Sequence, residues 1–160
     1  VKGSLKFLSV SARSAIYCAH MSWVIYALLS AFFAALVAIT AKIGIKEVDS
    51  NLAVAIRTVI IVVFAWAIVF LQGNAADVFK LSRHTYTFLI LSAIATGMSW
   101  LFYYHALQLG EASRVAPIDK LSIALTIILA FIFLGETPTL GNVTGGVLVI
   151  LGVLATVFIK

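Results

Sequence analysis

The chain has 160 residues, 63% of them hydrophobic and only 11% charged, where an ordinary soluble domain carries about 25% charged residues; with a mean hydropathy of +1.15 it has too few charges to cover its apolar surface in water, so lipid must solvate most of it. The formal net charge is +5, but the basic residues stand singly between apolar runs, so there is no basic stripe for a phosphate backbone and no nucleic-acid partner is expected. The lone Cys18 leaves no intramolecular disulfide and no Cys/His metal cluster, and no metal or other cofactor is expected.

Residues 1–20, VKGSLKFLSVSARSAIYCAH, combine basic residues with a short apolar run but lack a convincing signal-peptide core and cleavage site. Two readings stand: an amphipathic segment lying on the membrane surface, or an upstream stretch outside the natural protein, whose start would be Met21; the second is favoured. Crossing about 30 Å of hydrocarbon takes roughly 20 helical residues. Met21 to Ala41 is uncharged and makes the first span. The second should cover about Leu52 to Leu71, which includes Arg57. The third should run from about Thr87 to Leu107 and close at Gly110.

The uncharged run Leu121 to Gly135 would be only about 22 Å long as a helix, so the fourth span must start earlier. Proline suits a first helical turn, which predicts a start near Ala116 and Pro117 and brings Asp119 and Lys120 to the membrane region. The fifth span should begin after Pro138. The connections are short, at about Lys46–Asn51, Gln72–His84, Gly110–Val115 and Gly135–Thr139, so residues 21–160 are expected to form one all-α membrane domain.

An odd number of spans puts the termini on opposite sides. The N-terminal side carries Lys80 and Arg83, with Lys2, Lys6 and Arg13 if the extension is real; the other side carries Lys42, Lys46, Arg114 and Lys160. Five against four, or two against four, is a weak bias. A single orientation set by other factors and insertion both ways round, which would permit an antiparallel dimer, are both open.

The deepest polar residues share one layer, on the side away from the N-terminus. Lys42 closes the first span, Arg57 lies about 8 Å into the second, His105 is near the end of the third, and Asp119 and Lys120 are in the first turn of the fourth. Each ionisable group inside a membrane costs about 2.5 to 3.5 kcal/mol on insertion scales, which predicts an Arg57–Asp119 pair; snorkelling to the headgroups is the competing account, chiefly for Lys42. By helical phase Asp119, Ser122 and Thr126 make one polar stripe, and Ser92, Thr96, Ser99 and Tyr103 another with Trp100 beside it, while His105 falls on the apolar side. The two stripes either line an aqueous path or hydrogen-bond between helices.

Small residues recur on Ser30, Ala34 and Ala38 in the first span and on Gly141, Gly145 and Gly152 in the fifth, where backbones can approach closely. The last of these faces is a candidate dimer seam, and Val153, about 100° round the helix, should tolerate enlargement. No phosphate loop, HExxH, EF-hand or Ser/His/Asp set at one depth occurs, so no enzyme activity is expected.

The stretch ALQLGEASRVAPIDKLSIALTIILAFIFLGETPTLGNVTGGVLVILGVL, residues 106–154, resembles the EamA family of the drug/metabolite transporter superfamily, and AITAKIGIKEVDSNLAVAIRT, residues 38–58, resembles its half-length members. The matching positions are Lys42, Arg57, Pro117, Lys120 and Glu136. The resemblance implies five transmembrane helices forming one half of an inverted-repeat transporter, with a second copy supplying the other half. It further implies a secondary transporter in a bacterial-type inner membrane that moves a small metabolite or toxic organic compound by alternating access. Arg57, Ser99, Trp100, Tyr103, Asp119, Lys120 and Ser122 are the candidate pathway residues, and lipid, a small-molecule substrate and a second copy of the chain are the expected partners. A non-transporting subunit of a larger membrane complex and a lipid flippase component are the rival readings.

Overall fold

The computed structural model describes the backbone of residues 2–159 and the side chains of residues 23–159. Among the described residues it is all helical, with five helices long and apolar enough to cross a membrane: Trp23–Gly44, Ser50–Leu71, Arg83–Leu109, Ala112–Leu134 and Leu140–Phe158. The elements are α1 (Lys2–Gly44), α2 (Ser50–Leu71), α3 (Arg83–Leu109), α4 (Ala112–Asp119), α5 (Leu121–Leu129) and α6 (Leu140–Phe158). A short 3-10 helix, Ala75–Lys80, lies in the connection before α3, and a wide π-helical turn, Ala130–Leu134, follows α5. The side chains of the N-terminal stretch up to residue 20 lie outside the described residues, and with them the choice between its two readings.

The chain divides into two compact units, one ending at Thr40 and one starting at Ala41. The first is helix α1 up to that point. Phe32 and Phe33 are exposed, with ring centroids 5.6 Å apart, as suits a lipid-facing surface. Of its small residues, Ser30 and Ala34 are exposed and Ala38 is buried.

In the second unit, local chemistry sets the helix starts. Asp49 accepts from the backbone N–H of Asn51 at 2.9 Å and of Leu52 at 3.2 Å, opening α2. Ser82 accepts from Thr85 N–H at 3.1 Å at the head of α3, and Thr139 from Asn142 N–H at 3.2 Å at the head of α6. Each satisfies a donor that the first helical turn leaves without a partner. Gly110 ends α3 in an extended conformation, φ −117°. A Cβ there would come within 2.9 Å of Val115 Cγ2, so it is close approach that calls for glycine. Gly135, at φ +66°, ends the fourth span in the left-handed conformation that glycine adopts without penalty.

The fourth span differs from its sequence-based outline. It starts at Ala112, not near Pro117, and proline sits inside α4. A proline in a helix interior removes one backbone donor and clashes with the preceding turn. The helix is interrupted at Lys120, φ −71° and ψ −5°, where Lys120 N–H bonds back to Pro117 O at 2.9 Å. α5 then starts afresh at Leu121.

In this unit α2 packs on α3, α3 on α4, and α6 on both α4 and α5. Its buried cluster is Ala41, Ile45, Val54, Tyr104 and Leu107, residues from the end of α1, the following connection, the start of α2 and the end of α3. The core therefore lies at the level where the sequence placed its polar layer. Elsewhere large side chains such as Val63, Phe64 and Phe70 on α2 and Phe88 and Ile94 on α3 are exposed, the inverse of a water-soluble domain and appropriate to lipid.

Helix α6 turns Gly146 and Val153 inward, both buried; a Cβ on Gly146 would meet Ile127 Cδ1 at 3.2 Å. This corrects the expectation for Val153, which is only 4% exposed and has no spare room. Gly145 and Gly152 have nothing near their Cβ positions, and Gly141 only Thr139 Oγ1 at 3.7 Å. The glycine face is thus not used within the described unit.

Candidate functional site

The charged layer forms as its depth requires, but with other partners than the sequence suggested. Arg57 does not pair with Asp119. Its guanidinium carbon lies 4.4 Å from the ring centroid of Trp100 and 5.1 Å from that of Tyr104. A planar, weakly hydrated cation is stabilised on an aromatic face, the more so where water is scarce. Arg57 is just under one turn from the buried Val54 along α2, and Trp100 and Tyr104 are one turn apart on α3, so the stack ties these helices together.

Lys42 does not snorkel. Its ammonium donates to Leu107 O at 2.5 Å and Gly110 O at 2.7 Å, two carbonyls at the C-terminal end of α3. A cation there satisfies acceptors that the helix cannot and complements the negative end of its dipole. Two more polar contacts join the same regions: Gln108 Nε2 donates to Val48 O at 3.0 Å, and Ser50 Oγ lies 3.5 Å from His105 Nδ1. Ser50 is buried, whereas His105 is exposed.

Beside this tied layer, α3 and α4 enclose an open cleft of about 290 Å³ lined by Ser99, Phe102, Tyr103, Ala106, Val115, Ile118 and Asp119. Asp119 is the one ionisable carboxylate among them. Its Oδ2 is 3.1 Å from Nζ of the adjacent Lys120. Neighbours in a regular helix point about 100° apart, and the long Lys120 stem bridges that angle beside the interruption. Ser99 and Tyr103 reach the cleft as their stripe on α3 implied. Ser92 and Thr96, higher on that stripe, do not line it, and Thr96 Oγ1 donates to Ser92 O at 2.8 Å.

The stripe predicted on the fourth span breaks up. Ser122 is exposed and is not among the residues that line the cleft. Thr126 donates to Ser122 O at 2.8 Å and lines a separate hollow of about 110 Å³ with Glu136 and Asn142. A third cleft, about 470 Å³ between α2 and α3, is lined by Asn51, Thr58, Gly97 and aliphatic residues with no ionisable group.

The sequence reading missed Tyr104 as the second ring under Arg57, and the apolar wall of the cleft. Phe102, Ala106, Val115 and Ile118 carry no polar signal that would have marked them among so many apolar neighbours.

Five helices long and apolar enough to cross a membrane define an integral membrane protein, and a carboxylate-bearing cleft lies between its third and fourth spans. Residues 21–158 match the EamA-like transporter family, and the chain belongs to it. It is 47% identical over 133 residues to an uncharacterized transporter in the cobO 3' region of Sinorhizobium sp., covering 83% of this chain and 94% of that one. It is also 40% identical over 68 residues to the uncharacterized protein MJ1333.1 of Methanocaldococcus jannaschii, covering 42% of this chain and 50% of that one. No solved structure matches it significantly.

Proposed function

We propose that this membrane transporter is a secondary transporter protomer of a bacterial-type inner membrane, moving a small metabolite or toxic organic compound by alternating access as a dimer. The observation that carries this reading is Asp119, a carboxylate held within a membrane span and facing an open cleft with Ser99 and Tyr103. A charge is costly at that position unless it is paired or used, and its helix is interrupted next to it, as in transporters that bind solutes at broken helices. No nucleotide-binding motif occurs in the sequence, which favours an ion gradient or exchange as the drive.

The dimer, antiparallel in one arrangement, is supported by the open glycine face of α6 and by cleft walls that one copy leaves incomplete. In this reading Arg57, Trp100 and Tyr104 form the wall behind the pathway, and Lys120 holds Asp119 when no solute does. The test is flux into liposomes containing only the purified protein, with solutes chosen by a thermal-shift screen. Uptake above protein-free liposomes, lost in Asp119→Asn, is expected; a protein that binds no solute and moves none is a packing subunit instead.

A further inference from the structure

We propose that the cleft between α3 and α4 takes a primary amine with a small apolar or aromatic body, whose ammonium group binds Asp119 in the place that Lys120 occupies. This deepens the transport reading and rests on it for its physiological sense, but it concerns binding alone.

The argument starts from what Asp119 touches. Its Oδ2 accepts from the Lys120 ammonium at 3.1 Å, and the two side chains are 34% and 51% exposed. The pair is open to the cleft, so a second ammonium can replace that of Lys120 while the carboxylate stays paired. Lys120 does not line the cleft and reaches Asp119 from outside it. A ligand ammonium approaching through the cleft therefore meets the same carboxylate from the other side, and the Lys120 side chain is free to swing to the headgroups.

The rest of the cleft fixes the body of the ligand. Phe102, Tyr103, Ala106, Val115 and Ile118 form an apolar wall, and Ser99 and Tyr103 also bring hydroxyl oxygens. An ammonium group has three N–H donors, matched by one carboxylate and two hydroxyls. A volume of about 290 Å³ lies at the small end for ligand pockets and fits one ring on a short chain.

Charge then separates an amine from an amino acid. A zwitterion needs a cation for its carboxylate, and no cationic side chain lines the cleft. Arg57 is already stacked on Trp100 and Tyr104, Lys42 is committed to the carbonyls of Leu107 and Gly110, and Lys120, once displaced from Asp119, swings away from the cleft to the headgroups.

The experiment is equilibrium binding of radiolabelled phenethylamine to the full chain purified in detergent, with 2-phenylethanol, phenylacetate and phenylalanine as competitors. Phenethylamine should bind and the three others should compete at least about tenfold more weakly, since each lacks the ammonium or adds an unpaired carboxylate. Asp119→Asn should weaken binding at least about tenfold. Lys120→Met, which removes the internal competitor, should tighten it about two- to fivefold. The Lys120→Met gain and the competitor series keep the test decisive if Asp119→Asn fails to fold.

Equal competition by 2-phenylethanol or phenylalanine, unchanged affinity in a folded Asp119→Asn protein, or weaker binding in Lys120→Met overturns the proposal. Protein that moves other solutes into liposomes but binds no phenethylamine overturns it and leaves transport standing. Amine binding without flux supports it and removes the transport reading.

Discussion

At the scale of single residues, the half-buried cations Lys42 and Arg57 each have an electrostatic partner that is not a carboxylate. Lys42 meets carbonyls and Arg57 meets rings. Lys42→Met should cost about 1–3 kcal/mol, because hydrogen bonds from a charged group are lost and two helix-end carbonyls are left without a donor; reversible unfolding in mixed micelles measures it. Arg57→Lys keeps the charge but loses the flat face that stacks, so about 0.5–2 kcal/mol should be lost. A charge swap of Arg57 and Asp119 should rescue neither single variant, since no pair exists between them; rescue would place the two side chains in contact in another state of the protein.

At the scale of elements, Pro117 and the two faces of α6 matter most. Pro117→Ala restores a backbone donor inside α4 and removes the ring's clash with the preceding turn, so the start of the fourth span should gain stability. Its expected signature is a higher thermal unfolding midpoint, and an unchanged or lower one rejects that account. On α6, Gly146→Leu drives a side chain into Ile127, which lies 3.2 Å from the Cβ position, and should destabilise the fold by about 1–3 kcal/mol. Gly152→Leu meets nothing within the described protomer and should fold. If α6 is the seam between copies, it should shift the purified protein from dimer to monomer by light scattering, and an unchanged dimer fraction rejects that seam.

At the scale of the whole molecule, the weak bias of basic residues across the connections makes orientation testable. Two lysines added to the Gln72–His84 connection should hold that side in the cytoplasm, and two added at Lys46–Asn51 should hold the opposite side there. Terminal tags report the outcome. If the working dimer is antiparallel, either locked form alone is inactive and coexpression restores flux, whereas full activity of one locked form rejects the antiparallel arrangement.

The sequence alone determined the membrane class, the five spans and the depth of the polar residues. Those follow from hydrophobic length and from the cost of charge in hydrocarbon, which act residue by residue. It also located the third and fifth helix ends at Gly110 and Pro138, and placed Ser99, Tyr103 and Asp119 on faces that meet. Only tertiary structure decided the partners. Lys42 required the end of α3 to arrive beside it, and Arg57 required two rings one turn apart on α3. Proline reads equally well as a first-turn residue or an interior break, and that choice depends on whether Ala112 to Ala116 are helical before it. Likewise the glycine face of α6 was visible as a pattern, but which side packs inward depended on Ile127, a residue from another helix. Partner choice is a property of side chains far apart in the chain, and local sequence carries no term for it.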